Sequence, residues 1–411
     1  MWSKISLWML VFSFTVQVQA QTGLILASAL NAPAVKAQDQ WIGQIQDVSP
    51  RLPWLDQWGV RTETDRFEPA RQQYATRFNF NGLAEKKYYR RWVRTYTAVA
   101  QADQAESLLD AVGERYSALI QYHNARQALA LQQQLELVYR DQRSFYQQLS
   151  AAQANARLND LLKAEQDMEN TQLDMIRLER DIAQLEQQFS AWTGSTPPVV
   201  PDTAGWISPA RMIALAVAMT DSILPSPDML QLAAERAQIA AERRLEQARG
   251  RQVLDFIQLQ YRDRLEEPFR NDASVSMGFT LPYNGSRQAK KRLLDIERFQ
   301  AEQQYSELQE RIKNEAFGKL NTLQVQYRQY QQAAQQLSDA VQRYATTRFS
   351  ALGTDGIEAQ LLLQELLLKR KLKIAFHLEE MQKTYLDILQ ITGKSTQKPY
   401  INFLSENNLT W

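Results

Sequence analysis

The side chains that could do chemistry here are few. The 411 residues include two histidines, His123 and His377, and no cysteine. Thiolate metal sites, cysteine nucleophiles and disulfides are therefore excluded, and two isolated histidines do not make a metal cluster. The adjacent acids Glu266/Glu267 and Glu379/Glu380 fall in turn-like or polar helical surroundings. Acid pairs there read as part of a solvated face rather than as catalytic groups. No glycine-rich phosphate loop, nucleophile elbow or HExxH pair occurs. The chain reads as no enzyme, with no cofactor and no resident metal. Two groups of charges remain. Asp160, Asp355 and Glu358 stand beside the turn-forming Asn159, Gly353 and Thr354, and Lys86, Lys87, Arg90, Arg91 and Arg94 form a basic run. The acids suit charge selection in a narrow mouth, and the basic run suits the lining of a junction between strands and helices, lipid phosphates or a solvated helix start. Net charge is +1, so there is no bulk electrostatic case for nucleic acid.

The elements that must position these groups are of two kinds. Trp58, Val60, Thr62 and Thr64 alternate with Gly59, Arg61, Glu63 and Asp65, and Tyr74, Thr76, Phe78 and Phe80 alternate with Ala75, Arg77 and Asn79. Ile257, Leu259 and Tyr261 share a face in a third segment, from Val253 to Arg262. In a fourth, Ala273, Val275, Met277, Phe279 and Leu281 alternate with Ser274, Ser276, Gly278 and Thr280. Period 2 is the mark of a strand with two unlike faces. Phe67 to Ala70, Leu265 to Asp272 and Pro282-Tyr283-Asn284-Gly285 are the expected turns.

Between the strand pairs the period changes. From Tyr305 to Tyr344 apolar residues recur every three or four positions, one unbroken stripe on a helix expected from Ser286 to about Phe349. Such a helix is roughly 95 Å long, a coiled-coil strut. A matching helix starts near Ala84 and reaches about Leu149, and its return partner carries a heptad seam from Met175 through Leu178, Ile182, Leu185 and Phe189 to Trp192. A helix from Asp228 to Gly250 precedes the second strand pair, whereas only a short helix, Lys36 to Val48, is expected before the first. The division expected is an N-terminal segment 21–54, a first repeat 55–194, a linker 195–227, a second repeat 228–393 and a tail 394–411. Inside the linker, the run Met212 to Val217 reads as a buried packing patch.

Residues 1–20 read as a secretory signal. Lys4 is the basic region, Ile5 to Val16 the apolar run and Val18-Gln19-Ala20 the cleavage site. The apolar patch from Gly23 to Leu30 leaves a later cut open.

The two halves repeat. Asn81-Gly82 lies 203 residues before Asn284-Gly285, and Trp192-Thr193-Gly194 lies 199 before Ile391-Thr392-Gly393. With the Ser226-Pro227-Asp228 helix entry, the Leu281-Pro282 strand end, the Gly353 turn and the closing Leu389 to Gly393, the chain resembles the TolC-like outer-membrane efflux proteins. The resemblance implies a homotrimer in the outer membrane of a Gram-negative bacterium, reaching into the periplasm. Each subunit gives four strands to a shared β-barrel and long antiparallel helical hairpins to a coiled-coil tunnel. A periplasmic adaptor and an inner-membrane pump are the implied partners, and outer-membrane lipid surrounds the barrel. The fold class expected is mainly α with a small β part in two internal repeats, and the function a passive exit duct of a tripartite efflux or type I export system.

Physics points the same way. Two separate hairpins cannot satisfy their own edges, whereas three copies supply twelve strands, enough to close around a lumen. Trp58, Val60, Phe78, Phe80, Ile257, Leu259, Tyr261, Val275, Met277 and Phe279 are the lipid-face candidates. A non-channel periplasmic scaffold of the same fold is the alternative, favoured by Thr62, Thr64, Gln258 and Gln260 in the strands. At the tips, Asn159 and Thr354 are expected to cap the return helices. Asp160, Asp355 and Glu358, present three times each in a trimer, either attract cations or simply stabilise helix starts by about 0.3–1 kcal/mol each.

Overall fold

The computed structural model describes residues 21–47, 52–64, 72–152, 157–195, 200–201, 205–223, 225–251, 254–262, 273–279, 285–345, 353–406 and 410–411. The expected signal sequence lies outside the described residues. So do the turns expected at 67–70 and 265–272, residues 282–284 of the third turn and the chain leading to Gly353.

Helical residues 21–27 (α1) and a 3-10 turn, Ser28–Asn31, lead into α2, Pro33–Asp47. Strands β1, Leu55–Thr64, and β2, Gln72–Phe80, precede α3, Leu83–Ala152, and α4, Leu158–Thr193. Then come α5, Pro209–Asp221, and α6, Pro227–Arg249, followed by β3, Leu254–Arg262, and β4, Ala273–Phe279. Helices α7, Gly285–Ala345, and α8, Gly353–Ile391, and a 3-10 turn, Lys394–Thr396, end the element order.

The sequence explains the long helices. No proline interrupts α3, α7 or α8, and Ala, Leu, Gln, Glu and Arg dominate them, all residues that lose little freedom in a helix. The return helices α4 and α8 end alike. Gly194 and Gly393 follow them at φ 65°, and their amides donate to Ser190 O at 2.8 Å and Gln390 O at 3.0 Å. Only glycine takes that left-handed backbone without strain.

The chain divides into two compact units, each drawing on both halves. The first comprises Met1–Lys36, Ser107–Ser226 and Arg311–Trp411. In it Ile25 and Leu26 of α1 pack on Val112, Tyr116 and Leu119 of α3 and on Ile182, Leu185 and Phe189 of the α4 seam. Met212 and Ala216 of α5, both fully buried, pack on Leu323 of α7 and Met381, Tyr385 and Leu389 of α8. The expected packing patch is therefore one. Leu135, Val138 and Tyr139 of α3 meet Leu368 of α8 in a third cluster. Linker and tail fold together. Ile207 N donates to Leu404 O and Glu406 N to Gly205 O, each at 2.9 Å, and the Tyr116 hydroxyl donates to Ile401 O at 3.0 Å.

The N-terminal arm differs from expectation. In place of one short helix over Lys36 to Val48 there are two helical pieces, 21–27 and Pro33–Asp47. The apolar patch beginning at Gly23 packs into the core: Ile25, Leu26 and Ala29 are fully buried. Pro33 then opens α2 at the one helical position that tolerates it.

The second unit comprises Ala37–Glu106 and Pro227–Glu310. Its strands form one antiparallel sheet in the order β1-β2-β3-β4. The two hairpins are thus joined within the chain through β2 and β3, and the unpaired edges number two rather than four. Beside the sheet, the buried carboxylates of Glu85 and Glu246 are shared by Arg249 (2.7 and 3.0 Å), and Lys290 reaches Glu246 at 3.0 Å and Glu242 at 3.2 Å. This network ties α3, α6 and α7 where the chain leaves the strands. Among the described residues no helix is long and apolar enough to cross a membrane, which leaves open what the sheet does.

Candidate membrane sheet and hairpin tips

Register decides which strand residues share a face. Trp58 pairs with Phe78, Phe78 with Ile257, and Ile257 with Met277; one row on, Val60, Thr76, Leu259 and Val275 line up, and then Thr62, Tyr74, Tyr261 and Ala273. Directly opposed residues point to the same side of a sheet. All ten lipid-face candidates therefore lie on one face, with Phe80 and Phe279 continuing their strands. That face is bare in the single chain: Trp58, Val275 and Phe279 are all more than 60% exposed. Isolated exposed apolar groups are ordinary, but a contiguous sheet face of them is not. Thr62, Thr64, Gln72 and Thr76 are polar positions in the register of this face, whereas Gln258 and Gln260 belong to the other.

The opposite face carries Gly59, Arg61, Arg77, Gln258, Gln260, Ser274 and Ser276. Both hairpins open on the same device, a bulge that leaves Asp56 unpaired between Leu55 and Gln57, and Asp255 unpaired between Leu254 and Phe256. Just past the second bulge, Phe256 shares the polar side with Gln258 and Gln260. There its ring lies over Gly278, where a Cβ would come within 2.0 Å of Phe256 Cε1, and the Arg77 guanidinium covers the ring at 3.7 Å from its centroid. Alternation alone did not single out this stack, since its logic lies in the pairing of three strands.

The tips hold a pairing that lies too far apart in sequence for pattern reading. Arg157, at φ 76°, precedes α4. Its guanidinium binds Glu358 of α8 in an ion pair and lies 3.8 Å from Asp160. The Tyr146 hydroxyl donates to the same Glu358 carboxylate at 3.3 Å. Burial first, and then the Glu358 charge, push the Tyr146 hydroxyl up to about 12, and Glu358 raises Arg157 further. Two of the three expected acids are thus neutralised by one arginine that joins the hairpins. Gly353, Thr354 and Asp355 form the first residues of α8.

At α4 the cap position is not held by the expected residue. Asn159 is the second residue of α4 and Thr354 the second of α8. Arg157 stands at the cap position of α4 without any side-chain cap bond, and its carbonyl accepts from Leu161 N at 3.1 Å. Its ion pairs fix the entry to α4, which therefore starts two residues earlier than capping by Asn159 requires.

No protein-family model matches the sequence, and no curated protein sequence matches it. Solved structures do match. CusC, described in connection with folding and transmembrane channel formation, is similar over 92% of both chains, with 14% identity and TM-score 0.67. A membrane protein from Pseudomonas aeruginosa is similar over 92% of this chain and 91% of its own, at 16% identity and TM-score 0.63. The Neisseria gonorrhoeae MtrE outer membrane channel, in its open state, is similar over 95% and 91%, at 13% identity and TM-score 0.61. The chain has the fold of these proteins, the TolC-like fold.

Proposed function

We propose that this TolC-like chain is an efflux channel of the outer membrane, a passive exit duct with no catalysis of its own. The observation that carries the reading is the sheet. One face is contiguous, exposed and apolar, the other is polar, and the edges of β1 and β4 have no strand partner among the described residues. A sheet with one lipid-compatible and one water-compatible wall is what a barrel with an aqueous lumen needs. Three copies give twelve strands and pair every edge. Like MtrE, which is an outer membrane channel, the chain then moves substrate without consuming energy itself. An inner-membrane pump supplies the energy and a periplasmic adaptor meets the helical tips.

The test has two stages. Membrane fractionation with heat-modifiable gel mobility reports compartment and trimer together, and the trimer is expected in the outer-membrane fraction. Planar-bilayer recording of the purified protein then looks for conductance. A water-soluble periplasmic protein without conductance belongs instead to the scaffold reading. At the tips, the variant combining Asp160→Ala, Asp355→Ala and Glu358→Ala tests charge selection. Unchanged cation preference would leave these acids only a structural role.

A further inference from the structure

A groove of about 420 Å³ lies where the sheet gives way to α3, and its walls are apolar: Trp54, Phe80, Leu83, Leu254 and Ile257. Trp54 is held there by backbone and side chain together. Its ring lies 4.7 Å from Phe80, its carbonyl accepts from Asn81 N at 3.0 Å, and Asn81 Nδ2 donates to Pro53 O at 2.9 Å. Phe80 and Ile257 belong to the apolar sheet face, so the groove opens on the side that carries that face.

The rim of the groove is cationic. Arg251 lines it, and Leu83 belongs to a helical stripe with Lys86, Lys87, Arg90 and Arg94 at steps of three, four, seven and eleven residues. Residues so spaced share one side of a helix. Leu83 itself is 81% exposed. No acid interrupts the stripe, and none of these cationic side chains forms a hydrogen bond or ion pair among the described residues. The contrast with neighbouring cations is sharp, because Arg249 and Lys290 are both tied to Glu246. Cations without ion-pair partners among the described residues, beside an apolar groove at the border of an apolar band, call for a ligand that has an anionic head and a hydrocarbon tail.

We infer that this groove binds an anionic phospholipid, its acyl chain against Trp54, Phe80 and Leu83 and its phosphate among Arg251, Lys86, Lys87 and Arg90. The inference rests on the reading of the apolar sheet face as lipid-facing and assigns the site at its border. Charge selects the occupant: a zwitterionic lipid offers the same tail but no net charge to these cations.

The probe is a pair of lipids with identical acyl chains, phosphatidylglycerol and phosphatidylcholine, added in equal amounts to the full-length protein in non-ionic detergent. Retained lipid is read by native mass spectrometry. Phosphatidylglycerol should be retained in preference, and its retention should fall as salt is raised. Removing the cations together (K86Q, K87Q, R90Q, R251Q) should lower retention by roughly fivefold for each charge removed, the effect of a basic residue at an anionic surface. Equal retention of both lipids overturns the inference, as does a preference for phosphatidylglycerol that salt leaves unchanged. Both are read on the unaltered protein, so they stand even where the variant fails to fold. No retained lipid at all, the outcome for a groove covered by a second copy of the chain, also overturns it. Flotation with vesicles reports the membrane reading separately. Protein that floats without lipid preference removes only this site, whereas protein that does not float removes the membrane reading.

Discussion

At the scale of single residues, the polar positions that pattern reading passes over are the ones under most physical constraint. His123 stacks on Trp206, with centroids 4.0 Å apart and planes 12° apart, and its buried Nδ1 has no hydrogen-bond partner among the described residues. Burial pushes its pKa down to about 4. The unfolded chain then takes up a proton near pH 6.5 that the folded chain refuses. His123 thus costs no stability above about pH 6.5, and stability falls as the pH drops from there toward 4, by at most about 3 kcal/mol. His123→Gln should flatten the thermal midpoint between pH 7 and 4.5, and an unchanged slope would assign the loss to other groups. The Phe256–Gly278 stack is testable in the same spirit. Gly278→Val drives a methyl into a ring that Arg77 covers, so it should cost about 1–3 kcal/mol. In a Phe256→Ala background most of that cost should vanish, since the ring that clashes is gone. Additive penalties in the heat-modifiability midpoint would mean that the two residues do not touch.

At the scale of elements, much was legible because local periods report local burial. The α4 heptad seam is buried as its spacing implies, with Leu185 8% exposed and Phe189 fully buried. Leu185→Ala should therefore cost roughly 2–5 kcal/mol, and full retention of thermal stability would place the seam in water. Strand alternation was legible for the same reason, down to which residues share a face. What local periods do not contain is partnership over distance. The joining of β2 to β3 pairs Phe78 with Ile257, and the tip pairs Arg157 with Glu358, each across a long stretch of chain. Helix α1 was missed because its apolar residues directly follow a leader-like segment, where the same hydrophobicity has two explanations. The tip pairing has its own consequence. While Arg157 compensates Glu358, neither charge acts alone at the mouth. Arg157→Ala should raise cation preference in reversal-potential measurements, and Glu358→Gln should lower it. Shifts of the same sign in both variants would show that the pair does not line the conducting path.

At the scale of the whole molecule, the chain leaves two kinds of surface unsatisfied, and one assembly satisfies both. Among the described residues, strands β1 and β4 each present an unpaired edge, with the backbone donors and acceptors that recruit another strand. The sheet also has an apolar face that water does not solvate well, while its other face is polar. Stacking two sheets face to face would cover the apolar side but leave the edges open. Joining β1 of one copy to β4 of the next pairs every edge and, after a fixed number of copies, closes a ring. Four strands are too few to surround a lumen, and twelve suffice, so three copies are expected. The absence of cysteine from all 411 residues makes this measurable without background. A chain carrying one cysteine introduced in β1 and one scanned along β4 should, at the matching register, oxidise to a species of three times the chain's mass on a denaturing gel. The same positions should give no disulfide within a single chain, because β1 and β4 are separated by two strands. Light scattering in detergent should report a trimer and no folded monomer. A stable, monodisperse monomer, or cross-linking that runs on to an open ladder of ever larger oligomers, would rule out the closed barrel.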